Sequence, residues 1–147
     1  MLIRIRRFRR ADLDSLMEIE QACFPKAAYP RDMFLELYEA CGGMFLVANI
    51  GDSMAGYSVV CVRPPRAELV SIAVAPAVRR SGVAQALLQR TLVRLRRAGI
   101  LRLSLMVRAR NRGAIRLYRG FGFRHKGRVA KYYENGEDGI RMTLTLE

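Results

Sequence analysis

Hydrophobic and polar positions alternate along residues 2–8, with Ile3 and Ile5 on one side and Arg4 and Arg6 on the other. That period of two predicts a half-buried strand. The period then lengthens. Leu13, Leu16, Met17 and Phe24 recur at helical spacing, with Phe24 at or just past the helix end. Asp12 and Asp14 suit the helix start, where the dipole favours anions. Pro30 fits the first turn of a second helix carrying Met33, Phe34, Leu37 and Tyr38, which Gly42-Gly43 ends. Residues 44–50 and 54–62 read as strands joined at Gly51-Asp52-Ser53. Arg63-Pro64-Pro65-Arg66 is a loop, and residues 68–74 form the next strand, closed by Pro76. A long helix over 82–97 carries Ala84, Leu87, Leu88, Leu92 and Leu95 on one face and stops at Gly99. Alternation returns over 101–107, with Leu103, Leu105 and Val107 one way and Arg102, Ser104 and Met106 the other. A short helix over 111–119 ended by Gly120, a strand within 121–133, a turn at Glu134-Asn135-Gly136 and a last strand over 138–146 complete the chain. The order βααββ–βα–βαββ predicts a mixed α/β (α+β) domain.

A chain of 147 residues bounds this to one domain, 1–147, with a real core. The apolar content of 51% is globular, and no eighteen-residue uncharged apolar run offers a membrane span. The basic start runs into the acid-rich ADLDSLMEIE, so no signal peptide is expected. Cys23, Cys41 and Cys61 are odd in number and widely spaced. Neither a disulfide framework nor a metal site is therefore expected, and the cytoplasm is the expected location. The net charge of +13 points to an anionic partner or a polyphosphate cofactor. Its distribution says more. No Asp or Glu occurs from Leu69 to Tyr133, while arginines crowd that segment. Any carboxylate chemistry must come from outside it.

The segment that decides function is Val74-Ala75-Pro76-Ala77-Val78-Arg79-Arg80-Ser81-Gly82-Val83-Ala84. A strand ends, a loop carries two arginines and a glycine, and a long helix begins. The N–H groups at a helix start lack intrahelical partners and bear partial positive charge. They form a ready phosphate site, to which Gly82 gives close access. An ordinary connection with Ser81 as N-cap would look much the same. The segment resembles the [Q/R]-x-x-G-x-[G/A] motif of the GNAT acetyltransferase superfamily. A second stretch, Val107 to Phe123, is similar to that family's N-x-x-A-I-x-L-Y-x-x-x-G-F signature with every named position filled. The branch it most resembles is the RimI-type ribosomal-protein alanine N-acetyltransferases. QACFP at 21–25, the strand ELVSIAV, and Tyr132-Tyr133 followed by Glu137-Asp138-Gly139-Ile140-Arg141-Met142 carry that likeness.

The resemblance implies a single GNAT fold, a mixed sheet of about seven strands with about four helices, splayed where acetyl-CoA binds. It implies that the backbone of Ile72, Ala73 and Val74 holds the pantetheine and acetyl group. Arg79, Arg80, Ser81, Gly82, Val83, Ala84 and Gln85 would hold the diphosphate, and Asn111 would hydrogen-bond the cofactor. Tyr118 matches the family's general acid. Tyr132 and Tyr133 match a pair that helps hold the substrate N-terminus, and ordinary aromatic packing is the alternative. The departure is Met106. The branch carries a glutamate base there, and a thioether accepts no proton. Glu68, with the parity of Val70, Ile72 and Val74, is the remaining carboxylate to act through water. A solvated charge paired with Arg63 or Arg66 is the plainer reading of Glu68. His125 is expected at the surface.

Acceptor chemistry points the same way. An α-amine has a pKa of about 7.7–8.0 and a lysine about 10.4, a difference worth about 3.4 kcal/mol. Loss of a dedicated base handicaps N-terminal acetylation far less than lysine acetylation. The expected partner is thus a protein or peptide N-terminus, with the ribosome a candidate source. No membrane partner or sequence-specific nucleic-acid reading is expected, and the chain is expected as a monomer or homodimer. Two other readings remain open: a small-molecule amine acetyltransferase of the same fold, and a non-catalytic acyl-CoA-binding or nucleic-acid-binding domain.

Overall fold

The computed structural model describes residues 2–146. The alternating N-terminal segment forms β1 (Ile3–Arg7). A 3₁₀ turn at Arg10–Asp12 leads into α1 (Leu13–Cys23), whose C-cap is Phe24. α2 (Arg31–Cys41) follows, and Pro30 is its N-cap, one position ahead of the first-turn site expected. Its extended backbone (ψ 159°) is what places it outside the helix. β2 (Phe45–Ile50) and β3 (Ser53–Arg63) form a hairpin turning at Gly51. β3 and β4 (Arg66–Val74) both run longer than their apolar cores, so the prolines occupy a tight turn rather than a loop. α3 (Val83–Arg97), β5 (Arg102–Arg108) and α4 (Arg112–Gly120) follow. α4 ends at Gly120 as expected, and Gly122, just past the C-cap Phe121, takes the left-handed conformation at φ 101°. β6 covers only Arg124–Val129, because Ala130 onward turns instead of pairing, and β7 is Gly139–Thr145.

The seven strands make one mixed sheet in the order β1-β2-β3-β4-β5-β7-β6. β4 and β5 are parallel, and their ladder covers only Arg66–Leu69 against Arg102–Leu105. This is the open, seven-stranded, four-helix architecture expected. Contacts cluster into two compact units that share β4: Met1–Cys61 with Val70–Arg94, and Val62–Leu69 with Leu95–Glu147.

In the first unit one core holds Phe8, Phe34, Phe45 and Tyr57, with Phe8 stacked on Phe45 at 4.1 Å. A second holds Leu46, Ala48, Ala55, Val83 and Leu87. In the second unit Leu103, Leu105, Val107, Ile140, Met142 and Leu144 are buried; Leu103, Leu105 and Val107 face Leu144, Met142 and Ile140 across the β5–β7 ladder. Ser104 and Met106, on the other face of β5, are half-buried and Arg102 is exposed.

The cysteines overturn one expectation. Cys41 and Cys61 form a disulfide, and Cys23 alone is free. Their spacing in sequence hides the pairing. Packing brings the end of α2 against β3, leaving the two Cα atoms 5.0 Å apart.

Candidate active site

The strand-to-helix loop of the first unit starts from a close approach. A Cβ on Gly56 would lie 2.7 Å from the Ala73 carbonyl, so only glycine lets β3 run this near to β4. Ala73 is buried, while Ile72 and Val74 are half-buried against Val83 and Leu87. The Ala75 N–H donates to the Ala55 carbonyl (2.8 Å) and the Val78 N–H to the Ala75 carbonyl (3.0 Å), forming a single turn over Pro76–Val78. Two left-handed residues then flank Ser81: Arg80 at φ 65° and Gly82 at φ 85°. Glycine adopts that conformation freely; arginine does so at a cost, a mark of a functional turn.

The helical ladder of α3 begins with the Ala86 N–H donating to the Gly82 carbonyl (3.0 Å). Gly82, not Ser81, therefore stands at the N-cap. The amides of Val83, Ala84 and Gln85 lie ahead of the ladder, without intrahelical acceptors. No acid occupies the first turn, and a Cβ on Gly82 would meet nothing within 4 Å. The Val83 side chain is buried in the core, so it offers the site only its N–H. The Arg79 guanidinium reaches the Cys23 sulfur (3.3 Å), and the Cys23 thiol donates to the Val74 carbonyl (3.2 Å). These contacts tie the loop to the end of α1. An open turn with amides ahead of the helical ladder, a helix dipole and two exposed arginines fits a diphosphate.

The second unit gathers most of the remaining expected residues. Asn111 is the N-cap of α4, its Oδ1 accepting from the Ala114 N–H (3.1 Å). Tyr118 is buried, edge-on to Phe123 at 5.6 Å. Burial first, and then the proximity of Tyr133, hold its phenol far above the usual tyrosine range. Such a phenol keeps its proton. The Tyr133 ring lies under the Arg108 guanidinium (4.0 Å) and edge-on to Tyr132 (4.9 Å). A Cβ on Gly139 would lie 2.7 Å from the Met106 Cε and 3.1 Å from Tyr132, so Met106 and Tyr132 close on one spot. Arg108 also pairs with Glu137 (3.1 Å), which keeps that carboxyl below its ordinary range.

Glu68 is exposed, opposite Ser104 in the β4–β5 ladder and on the same sheet face as Met106. Neither Arg63 nor Arg66 pairs with it among the described residues, so the plainer reading of Glu68 lacks its partner. His125 is exposed on β6.

Sequence reasoning missed Glu20. Its carboxylate is 1% exposed, accepts from the Tyr57 hydroxyl and from the Tyr29 N–H (3.0 Å), and burial raises its pKa. Tyr57 also meets the Ser71 hydroxyl at 2.9 Å. The signal was available, because Glu20 continues the helical phase of Leu13, Leu16 and Met17.

A family model described as the acetyltransferase (GNAT) family matches residues 13–123. The chain is 35% identical over 140 residues to an uncharacterized N-acetyltransferase of Methanocaldococcus jannaschii, covering 94% of this chain and 88% of that one. It is 30% identical over 143 residues to a putative ribosomal protein bS18-alanine N-acetyltransferase of Bacillus subtilis, covering 97% and 95%. The crystal structure of Ard1 from Thermoplasma volcanium superposes with a TM-score of 0.95 at 27% identity, over 100% of this chain and 99% of that one. Fold and family match define an acyltransferase. The chain belongs to the GNAT acetyltransferase family.

Proposed function

We propose that this chain is an acetyl-CoA-dependent N-acetyltransferase acting on the N-terminal α-amine of a protein or peptide. The observation that carries the reading is the open amide turn at the start of α3, with left-handed Arg80 and Gly82 and no acid in the first helical turn. Acetyl-CoA supplies an activated acyl thioester. The amides of residues 81–85 with Arg79 and Arg80 hold its diphosphate, and the backbone of Ile72, Ala73 and Val74 holds its arm. Asn111 spends its carbonyl oxygen on the helix cap and retains its amide nitrogen for the cofactor.

Tyr118 holds a proton at Oη for the leaving sulfur. Its raised pKa keeps that proton in place throughout the physiological range. Met106 with Tyr132 and Tyr133 shapes the acceptor end, the thioether lying where the family branch carries its base. Glu68 then takes the amine proton through water. An α-amine, already about a tenth neutral at pH 7, asks little of such a base.

The B. subtilis relative is named for a ribosomal protein, and we extend to this chain only the coarser class, a protein N-terminus. Residues 1–147 act as one domain, as a monomer or a homodimer. We place it in the cytoplasm, where acyl donor and newly made N-termini meet. No helix among the described residues is long and apolar enough to cross a membrane. Free thiols no longer support that placement, since Cys41 and Cys61 are joined.

Incubation with acetyl-CoA and peptides bearing free or blocked N-termini tests the proposal, read by mass spectrometry. Acetylation confined to free α-amines is expected; acetylation only of lysines in blocked peptides rejects it. Met106 favours one competing reading, a non-catalytic acyl-CoA-binding module. Tight CoA binding without turnover on a broad peptide panel would establish that instead.

A further inference from the structure

The second unit leaves one face of its sheet outside the core. Leu103, Leu105 and Val107 point to the buried side, opposite Leu144, Met142 and Ile140. The other side of β4, β5, β7 and β6 can be read row by row from the strand registers. Arg66, Arg102 and Thr145 form one row, and Glu68, Ser104, Thr143 and Arg124 the next. Met106 and Arg141 form the third. Arg66, Arg102, Arg124 and Arg141 are all exposed. None is in an ion pair among the described residues, and Glu68 is the one acid of these rows.

Two neighbouring acids are committed elsewhere. Glu137 pairs with Arg108 (3.1 Å) and Asp138 with Arg128 (2.7 Å). This unit carries 15 of the 26 cations and five of the 13 acids, a net +10. Four unpaired guanidinium groups on one sheet face are a recognition surface for carboxylates or phosphates.

We infer that this face binds acidic side chains within the first few residues of the acceptor polypeptide. The inference rests on the proposed N-terminal acetylation and names its substrate class. Two features favour an acidic peptide over nucleic acid. The arginine-bearing rows contain no aromatic side chain on which successive bases could stack, the exposed Tyr132 lying only at their Met106 end. Rows on a sheet face repeat at about 6.7 Å, the spacing of alternate side chains in an extended peptide. A peptide with its N-terminus beside Met106 meets Arg141 first, then Arg124, then Arg102 and Arg66 within about five residues. The charge pattern matches throughout: a cationic amine near Glu68 and an anionic body over the arginines.

The test compares peptides with free N-termini, identical except for Asp, Asn or Lys at positions 2–5. The Asp peptide is expected to exceed the Asn peptide about tenfold in kcat/KM at low salt, mainly through KM, with the Lys peptide lowest. Each exposed pair contributes a factor of roughly two to five. Added salt at about 0.5 M should shrink the ratio severalfold by screening. In the combined variant Arg102→Gln, Arg124→Gln, Arg141→Gln, the Asp-to-Asn ratio should fall to near one, and the corresponding lysine variant should restore part of it.

An Asp-to-Asn ratio near one in the unaltered protein overturns the inference, and that comparison stands even should the variant fail to fold. A ratio unmoved in a folded glutamine variant also overturns it. So does single-stranded RNA displacing a labelled Asp peptide at concentrations where an unlabelled Asp peptide of equal charge does not. If no peptide is acetylated at all, the proposed activity fails separately. Fluorescence anisotropy of the labelled Asp peptide then decides the surface: salt-sensitive binding lost in the glutamine variant supports it, and no binding rejects it.

Discussion

Tyr118 shows how much a single environment changes a residue's chemistry. Its burial and the neighbouring Tyr133 hold the phenol protonated well above the ordinary value of 10.0. Tyr118→Phe removes one hydroxyl and leaves the edge-on contact with Phe123 in place. We expect kcat to fall by about 10²-fold or more, with acetyl-CoA affinity changed less than twofold; removal of a positioned acid has about that size. In the unaltered enzyme the pH profile of kcat should rise as the amine deprotonates and show no alkaline fall below pH 10. Gly82 is the other residue whose role is backbone chemistry. Nothing crowds a Cβ there, so Gly82→Ala tests φ 85° alone. It should cost about 1–2 kcal/mol and weaken acetyl-CoA binding, read by calorimetry. From the sequence the glycine was legible as a motif position. The left-handed Arg80 beside it was not, because its conformation is forced by where the strand ends and the helix must begin.

The elements followed the hydrophobic periods closely, and their ends did not. α4 began where the N-cap chemistry of Asn111 placed it and ended at Gly120, with the left-handed turn falling two residues on at Gly122. Asn111→Ala should destabilise the chain by about 1 kcal/mol through the lost cap, measurable by urea unfolding. The larger omission was the tie between elements. Cys41 and Cys61 are 20 residues apart, and closing that loop contributes about 3 kcal/mol in the chain-entropy model. Reduction should therefore lower Tm by roughly 10 °C for a chain of this size. Alkylation followed by intact-mass measurement without reductant should label one thiol, that of Cys23.

For the whole molecule, charge is the dominant variable, and carboxylates set how stability changes with acid. Arg6 holds Asp12 with two contacts at 2.8 Å and lowers its pKa from 3.8. A lowered folded-state value means the unfolded chain takes protons first. That stabilisation is complete above pH 3.8 and is lost as the pH falls through the folded value. The gap in unfolding free energy between the unaltered protein and Asp12→Asn should thus close below about pH 4. Glu20 acts with the opposite sign. Burial raises its pKa above 4.5, so stability declines as the pH climbs from 4.5 through the raised value. Glu20→Gln keeps an acceptor for the Tyr29 N–H and should flatten that limb, measured by urea unfolding between pH 4 and 8.

The sequence by itself determined the element order, the open turn before α3 and the position of Tyr118 on α4. Periodicity and turn chemistry are local, and the two motifs each lie within one continuous stretch. Tertiary structure decided the Cys41–Cys61 crosslink, the buried Glu20–Tyr57–Ser71 network and the arginine rows across β4, β5, β7 and β6. Each of these joins residues far apart in the chain, and only strand register and core packing set which of them meet.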